Sequence, residues 1–187
     1  MQVKRAVALA AIITLSLLAQ DSRPACANCP GTYVGAEELK AYLDRGPARA
    51  AATGVSDQPA RTVDIGKDNV VVAVVYRPKL TGSSPVAEHH QVGEVYHIMD
   101  GEGTLVTGPD ITGAVNTKTG GGSNGTGIRN GATHHLKAGD VVVIPAGTGH
   151  WFTRIDDHIR YLNIRIDHAK TTPLKDEAAS KADLAGK

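Results

Sequence analysis

At 187 residues, 41% of them hydrophobic, the chain is long enough for one domain with a sizeable core. Twenty Lys and Arg against 19 Asp and Glu give a formal charge of +1 with no basic run, which excludes the electrostatic footprint of a nucleic-acid binder. Aromatic residues are only 4%, so a core must be built mostly from Val, Ile and Leu.

Lys4 and Arg5 precede an uncharged apolar run, Ala6 to Ala19, and a polar stretch then ends in Ala25-Cys26-Ala27. This basic, apolar, small-x-small order reads as a signal peptide over residues 1–27, with a run too short to span a membrane. The expectation is a periplasmic or secreted protein with no membrane association after cleavage. Loss of Lys4, Arg5, Arg23 and Asp21 would take the charge from +1 to −1. Cleavage also separates Cys26 from Cys29, so the C-x-x-C between them reads as incidental, not as a redox motif.

Residues 28–60 read as a helix and a connection. Leu39, Tyr42 and Leu43 share a face at helical spacing, predicting a helix from Ala36 to Arg45 that Gly46-Pro47 ends. Pro47 to Ala60, rich in Ala, Gly, Ser and Pro, reads as a surface connection.

From residue 61 to 168 the texture is that of strands. Val63 to Ile65 is followed by the β-branched run Asn69 to Arg77, which stops at Pro78. Further strands are predicted at Val86–His90, Val95–Met99, Thr104–Thr107, Ala132–Leu136, Val141–Ile144, His150–Ile155 and Arg160–Ile166. Short strands bounded by Gly, Pro, Asp and Asn indicate an all-β barrel or sandwich. Gly108 to Gly131 interrupts them with a polar, glycine-rich segment, read either as a mobile excursion or as a lid over a pocket. Residues 169–187 read as a frayed helix or disordered tail.

The chemistry gathers in two segments, Glu88 to Glu94 and Gly139 to His150. Strand alternation puts Glu88 and His90 on one face and His89 on the other. Glu94 opens the next strand, with Tyr96 and Ile98 on its face. Carboxylates and imidazoles aimed into a small apolar barrel are costly unless paired or coordinated, and a metal ion removes that cost. A β-bulge at Glu88–His89 would reverse the assignment and bring His89 inward.

These spacings resemble the two motifs of the cupin superfamily, G-x5-H-x-H-x3,4-E-x6-G and G-x5-P-x-G-x2-H-x3-N. His90, Glu94 and Gly101 fit the latter part of the first, and Gly82 fits its opening glycine; Gly139, Pro145, Gly147 and His150 fit the second. The resemblance covers Ile65 to Asp167. It departs at Glu88, where the family has a histidine, and at Arg154, where it has asparagine.

The resemblance implies an all-β cupin β-barrel, a double-stranded β-helix or jelly roll, behind a short N-terminal helix. It implies one divalent metal ion on His90, Glu94 and His150, with Glu88 as a fourth ligand. Two imidazoles and two carboxylates suit Mn, Fe or Zn. His134, alternating with Leu136, is the candidate acid–base residue. Arg77, Arg154, Asn163 and Arg165 would grip an anionic substrate if they face inward, while His89, His97, His135, His158 and His168 read as surface residues. Cupins host many reactions, so two readings stand: a metal-dependent enzyme on a small polar organic molecule, a dioxygenase or else an isomerase or lyase, or a non-catalytic binder of a sugar or similar ligand. A homodimer is expected, with the N-terminal strands as its exchange element.

Overall fold

The structure, a computed structural model, describes residues 30–119 and 121–186. The signal peptide expected over residues 1–27 and both cysteines lie outside the described residues. Strands β1 (Ser56–Asp64), β2 (Asn69–Pro78), β3 (Val86–His89) and β4 (Val92–Gly108) follow helix α1 (Ala36–Thr53). The glycine-rich segment contributes β5 (Asp110–Thr112), β6 (Val115–Asn116), β7 (Gly122–Gly125) and β8 (Gly127–Arg129). Then come β9 (Ala132–Lys137), β10 (Val141–Ile144), β11 (Gly149–Arg154), β12 (His158–Asp167) and helix α2 (Glu177–Ala185).

All pairings are antiparallel. One sheet runs β1-β2-β12-β4-β10 and the other β9-β4-β11-β3-β7-β6. Strand β4 belongs to both, because two predicted strands are one 17-residue strand that bends at Gly101. There φ is 75°, and an added Cβ would lie 2.1 Å from the His158 carbonyl oxygen, so only glycine fits. Between the sheets lie Val75, Tyr96, Ile98, Leu105, Leu136, Ile144, Phe152, Ile155, Ile159 and Tyr161. These are the inward positions that period-two alternation dictates.

Three expectations need correction. Helix α1 does not stop at Gly46-Pro47 but runs to Thr53, capped by Gly54 in the left-handed conformation (φ 80°) with its N–H on the Ala50 carbonyl at 2.7 Å. Gly46 serves close approach instead: an added Cβ would come within 2.8 Å of Tyr76 Cβ. The connection expected up to Ala60 is accordingly the end of α1 and most of β1, so the sheets begin at Ser56.

The C-terminal segment is likewise built into the fold. Asp176 caps α2 by accepting from the Ala179 N–H at 2.8 Å. Tyr42 Oη and Ser180 Oγ are 2.7 Å apart, and Lys175 Nζ donates to Asp183 at 2.6 Å. Buried Arg61 grips Glu38 with both terminal nitrogens, at 2.6 and 2.9 Å. The helices thus cover the outer face of the first sheet around Tyr42, Ala60 and Val74.

The glycine-rich segment is neither a free excursion nor a lid. Strand β7 pairs with β3 and extends the second sheet. The β5–β8 hairpin folds back on that sheet's outer face. An added Cβ at Gly125 or Gly149 would meet Ile111 at 2.3 or 2.8 Å, and one at Gly131 would meet Ile128 at 2.9 Å. The glycines make the floor on which two isoleucines seat.

Candidate metal centre

Two neighbouring strands and a turn assemble the site. In the β11–β3 ladder His150 lies directly opposite Ala87, so Ala87 and, two residues on, His89 share its inward face. Glu94 opens β4 and is 2% exposed. The turn Pro145–Thr148 delivers His150, with Gly147 at φ 78° and its N–H on the His89 carbonyl at 2.8 Å. One donor atom each from His89, Glu94 and His150 lie within 4.8 Å of one another.

Each donor is oriented. His150 Nε2 is 3.3 Å from Glu94 Oε2, while its Nδ1 lies 3.3 Å from the Thr148 carbonyl oxygen, which only an Nδ1–H can satisfy. Tyr96 Oη donates to the same Glu94 oxygen at 3.1 Å. The other carboxylate oxygen accepts from Asn163 Nδ2 at 2.6 Å and Arg165 Nε at 3.3 Å. The His89 ring stands 5.4 Å from that of His150, and neither of its nitrogens is hydrogen-bonded to another described residue.

The electrostatics match this arrangement. Burial pushes the Glu94 carboxyl up, but His150, Arg165 and the Asn163 hydrogen bond together hold it below its ordinary value. Burial pushes the His150 imidazole below its ordinary value, against the pull of Glu94. An ionised carboxylate beside a neutral imidazole with its Nε2 lone pair turned inward is the protonation state a metal ligand set requires. The donor chemistry fits a divalent ion of the Mn, Fe or Zn kind.

The first motif sits on the β3–β4 turn, its closing glycine at the bend between sheets, and the second on β10, the turn and β11. Antiparallel strands with that order around a shared interior decide the architecture. The barrel is a double antiparallel sheet, the architecture that the resemblance in the two motifs implies. Among solved structures the chain is similar to KdgF of a Halomonas species, with 12% identity, covering 61% of this chain and 81% of that one, at a TM-score of 0.42. It is also similar to a cupin protein of Bacteroides fragilis, with 20% identity, covering 57% and 72%, at a TM-score of 0.37. A Bacillus halodurans protein is 14% identical, with coverage of 82% and 96% and a TM-score of 0.44. No family profile and no curated protein matches the chain.

Of the residues singled out in the sequence, Glu94 and His150 come together, and Glu88 and His90 do not join them. Strand β3 ends at His89, and His90 falls in the turn with a 40% exposed side chain, its Nδ1 2.9 Å from Glu88 Oε1. Glu88 is buried, but on the opposite face with Val86, beside Ser123 of β7. The reversal needs no bulge; the cover that β7 and the β5–β8 hairpin lay over the outer face accounts for a buried carboxylate there. The residue missed is His89, read as a surface histidine. The signal for it was present, since the first motif also admits four residues before its glutamate, and His89-x4-Glu94 satisfies that form. Ala87 then stands at the family's first histidine position.

His134 faces the barrel on β9, opposite Leu105, with its Nε2 3.1 Å from Thr107 Oγ1, and it is not part of the donor cluster. Asn163 and Arg165 hold Glu94, whereas Arg154 points outward to Asp156 at 2.8 Å.

Proposed function

We propose that the chain is a mononuclear metalloenzyme acting on a small polar organic molecule. The observation that carries this reading is the inward set of two imidazoles and one carboxylate, with Ala87, a residue without donor atoms, opposite His150. Three protein ligands leave positions free for substrate, as catalytic sites require, and this donor set is the one non-haem iron oxygenases use. A dioxygenase is therefore favoured over an isomerase or lyase. When bound, the ion supplies Lewis-acid polarisation and, if redox-active, oxygen chemistry.

The surrounding residues supply the rest. Tyr96, Asn163 and Arg165 fix the Glu94 carboxylate, and the Thr148 carbonyl fixes the His150 tautomer. Leu105, Phe152 and Ile98 are buried in the core between the same two sheets. His134 is proposed to carry a proton to or from substrate while anchored by Thr107, whose partner across the β4–β11 ladder is His150. The test is metal analysis of the purified protein, followed by azide titration of its cobalt-loaded form. A visible spectrum that shifts with azide supports an open position; an unresponsive or metal-free protein favours a ligand-binding role. Export is proposed on the first 27 residues, and mass spectrometry of extracytoplasmic material should find a chain starting near Asn28. Pairing into a homodimer is proposed too, with sedimentation velocity as its test.

A further inference from the structure

The arginines that are buried or half-buried differ in one respect. Arg61 is neutralised by Glu38, Arg45 by Asp183, Arg165 by Asp57 and Glu94, and Arg160 lies 3.7 Å from Asp100. Arg77 has no carboxylate within salt-bridge distance among the described residues. Its place is inside the barrel: on β2 it follows Val75 at strand period, and it lies opposite Ile159, both core residues. Its Nε donates to a neutral group, Tyr161 Oη, at 3.0 Å, and its guanidinium lies over the Phe152 ring at 4.9 Å from the centroid.

These contacts tie Arg77 to the candidate metal centre. Phe152 follows His150 by two residues on the same face of β11. Tyr161 is 4.5 Å from Tyr96 between ring centroids, and Tyr96 in turn holds Glu94 and meets the His150 ring edge-on at 6.3 Å. A guanidinium held by its Nε and one face, with its two terminal nitrogens bonded to no other described residue, is preorganised to accept a planar anion bidentately. A half-buried cation with no carboxylate in contact carries part of the cost of burying a charge, and a substrate anion offsets it.

We propose that Arg77 anchors a carboxylate of the substrate, so that the barrel takes small organic acids rather than neutral sugars. The proposal rests on the metalloenzyme reading for the reaction, but binding at Arg77 does not require the ion. Lactate and its uncharged counterpart lactamide are the probes, titrated by NMR into the metal-free and the zinc-loaded full protein. Wild-type protein should bind lactate in both forms and lactamide only weakly. Arg77→Met should lose roughly ten- to hundredfold in lactate affinity, the range of a charge-assisted pair, with lactamide and zinc binding unchanged. Arg77→Lys should retain part of the affinity. If Arg77→Met does not fold, Tyr161→Phe, which frees Arg77 Nε alone, should weaken lactate several-fold. Equal lactate affinity in wild type and Arg77→Met, or equal affinity of wild type for lactate and lactamide, overturns the proposal. Failure of zinc to bind while lactate still discriminates the variants would remove the metalloenzyme reading and leave the anion site standing.

Discussion

Replacing His89 and His90 separately tests the register of β3, on which the candidate site depends. His89 offers an unengaged ring beside His150, whereas the His90 ring is 40% exposed and its Nδ1 faces Glu88. Losing one of three ligands should cost at least the roughly hundredfold that an outer-shell partner can cost. At a metal concentration about a thousand times the wild-type dissociation constant, binding stabilises the fold by about 4.1 kcal/mol. A hundredfold weaker site at the same concentration gives about 1.4 kcal/mol. His89→Ala should therefore lose about 2.7 kcal/mol of the metal-dependent stabilisation, or about 5–11 °C in Tm for a domain of this size. His90→Ala and Glu88→Gln should keep nearly all of it. Thermal melts with and without zinc, beside metal analysis by mass spectrometry, measure both quantities. A His90→Ala variant that loses the metal increment while His89→Ala keeps it would refute the register and the site built on it.

Four further outcomes are expected. Gly125→Ala sets a Cβ 2.3 Å from Ile111 and 2.9 Å from the Thr112 carbonyl oxygen and should cost about 1–3 kcal/mol in urea unfolding. Gly121→Ala, whose nearest neighbour is Thr119 Oγ1 at 3.9 Å, should change stability by less than about 0.5 kcal/mol. Burial pushes the Asp183 carboxyl up, but Lys175 and Arg45 outweigh it and hold it down at about 2. Its contribution is thus present above the ordinary aspartate value and is lost as pH falls toward 2; Asp183→Asn should flatten that part of the stability profile. The hydrogen bond to Asp100, helped by Asp157, raises the His158 pKa. Its contribution is complete below the ordinary histidine value and lost as pH rises through the raised one, and Asp100→Asn should bring the His158 titration, followed by NMR, back down.

Much of the barrel was legible because its signals are local. The β-branched run Val70 to Val75 reads as a strand, and Gly139, Pro145 and Gly147 mark the turn that delivers His150. What could not be read were glycines with long-range reasons. Gly46 looks like a helix stop, but it is a place where a helix touches Tyr76. The glycines at 125, 131 and 149 look like flexibility, yet they are a surface made bare enough to seat Ile111 and Ile128. Composition records the absence of a side chain; only the fold shows what occupies the space.

The candidate site divides along the same line. Glu94 and His150 are set by spacing to a fixed turn, so sequence found them. The partner from β3 turned on which face of one short strand is interior; the spacing of three residues from His90 to Glu94 anchors His90 inward, period two carries Glu88 with it, and the cost of burying both unpaired points the same way. That inference holds for a strand with one wet face. Strand β3 has none: Val86 and Glu88 are 0% and 5% exposed on the face covered from outside, while Ala87 and His89 look into the barrel. On such a strand, burial gives no direction. Direction comes from the cross-strand partner, and the pairing of Ala87 with His150 leaves His89, not Glu88, beside the carboxylate of Glu94.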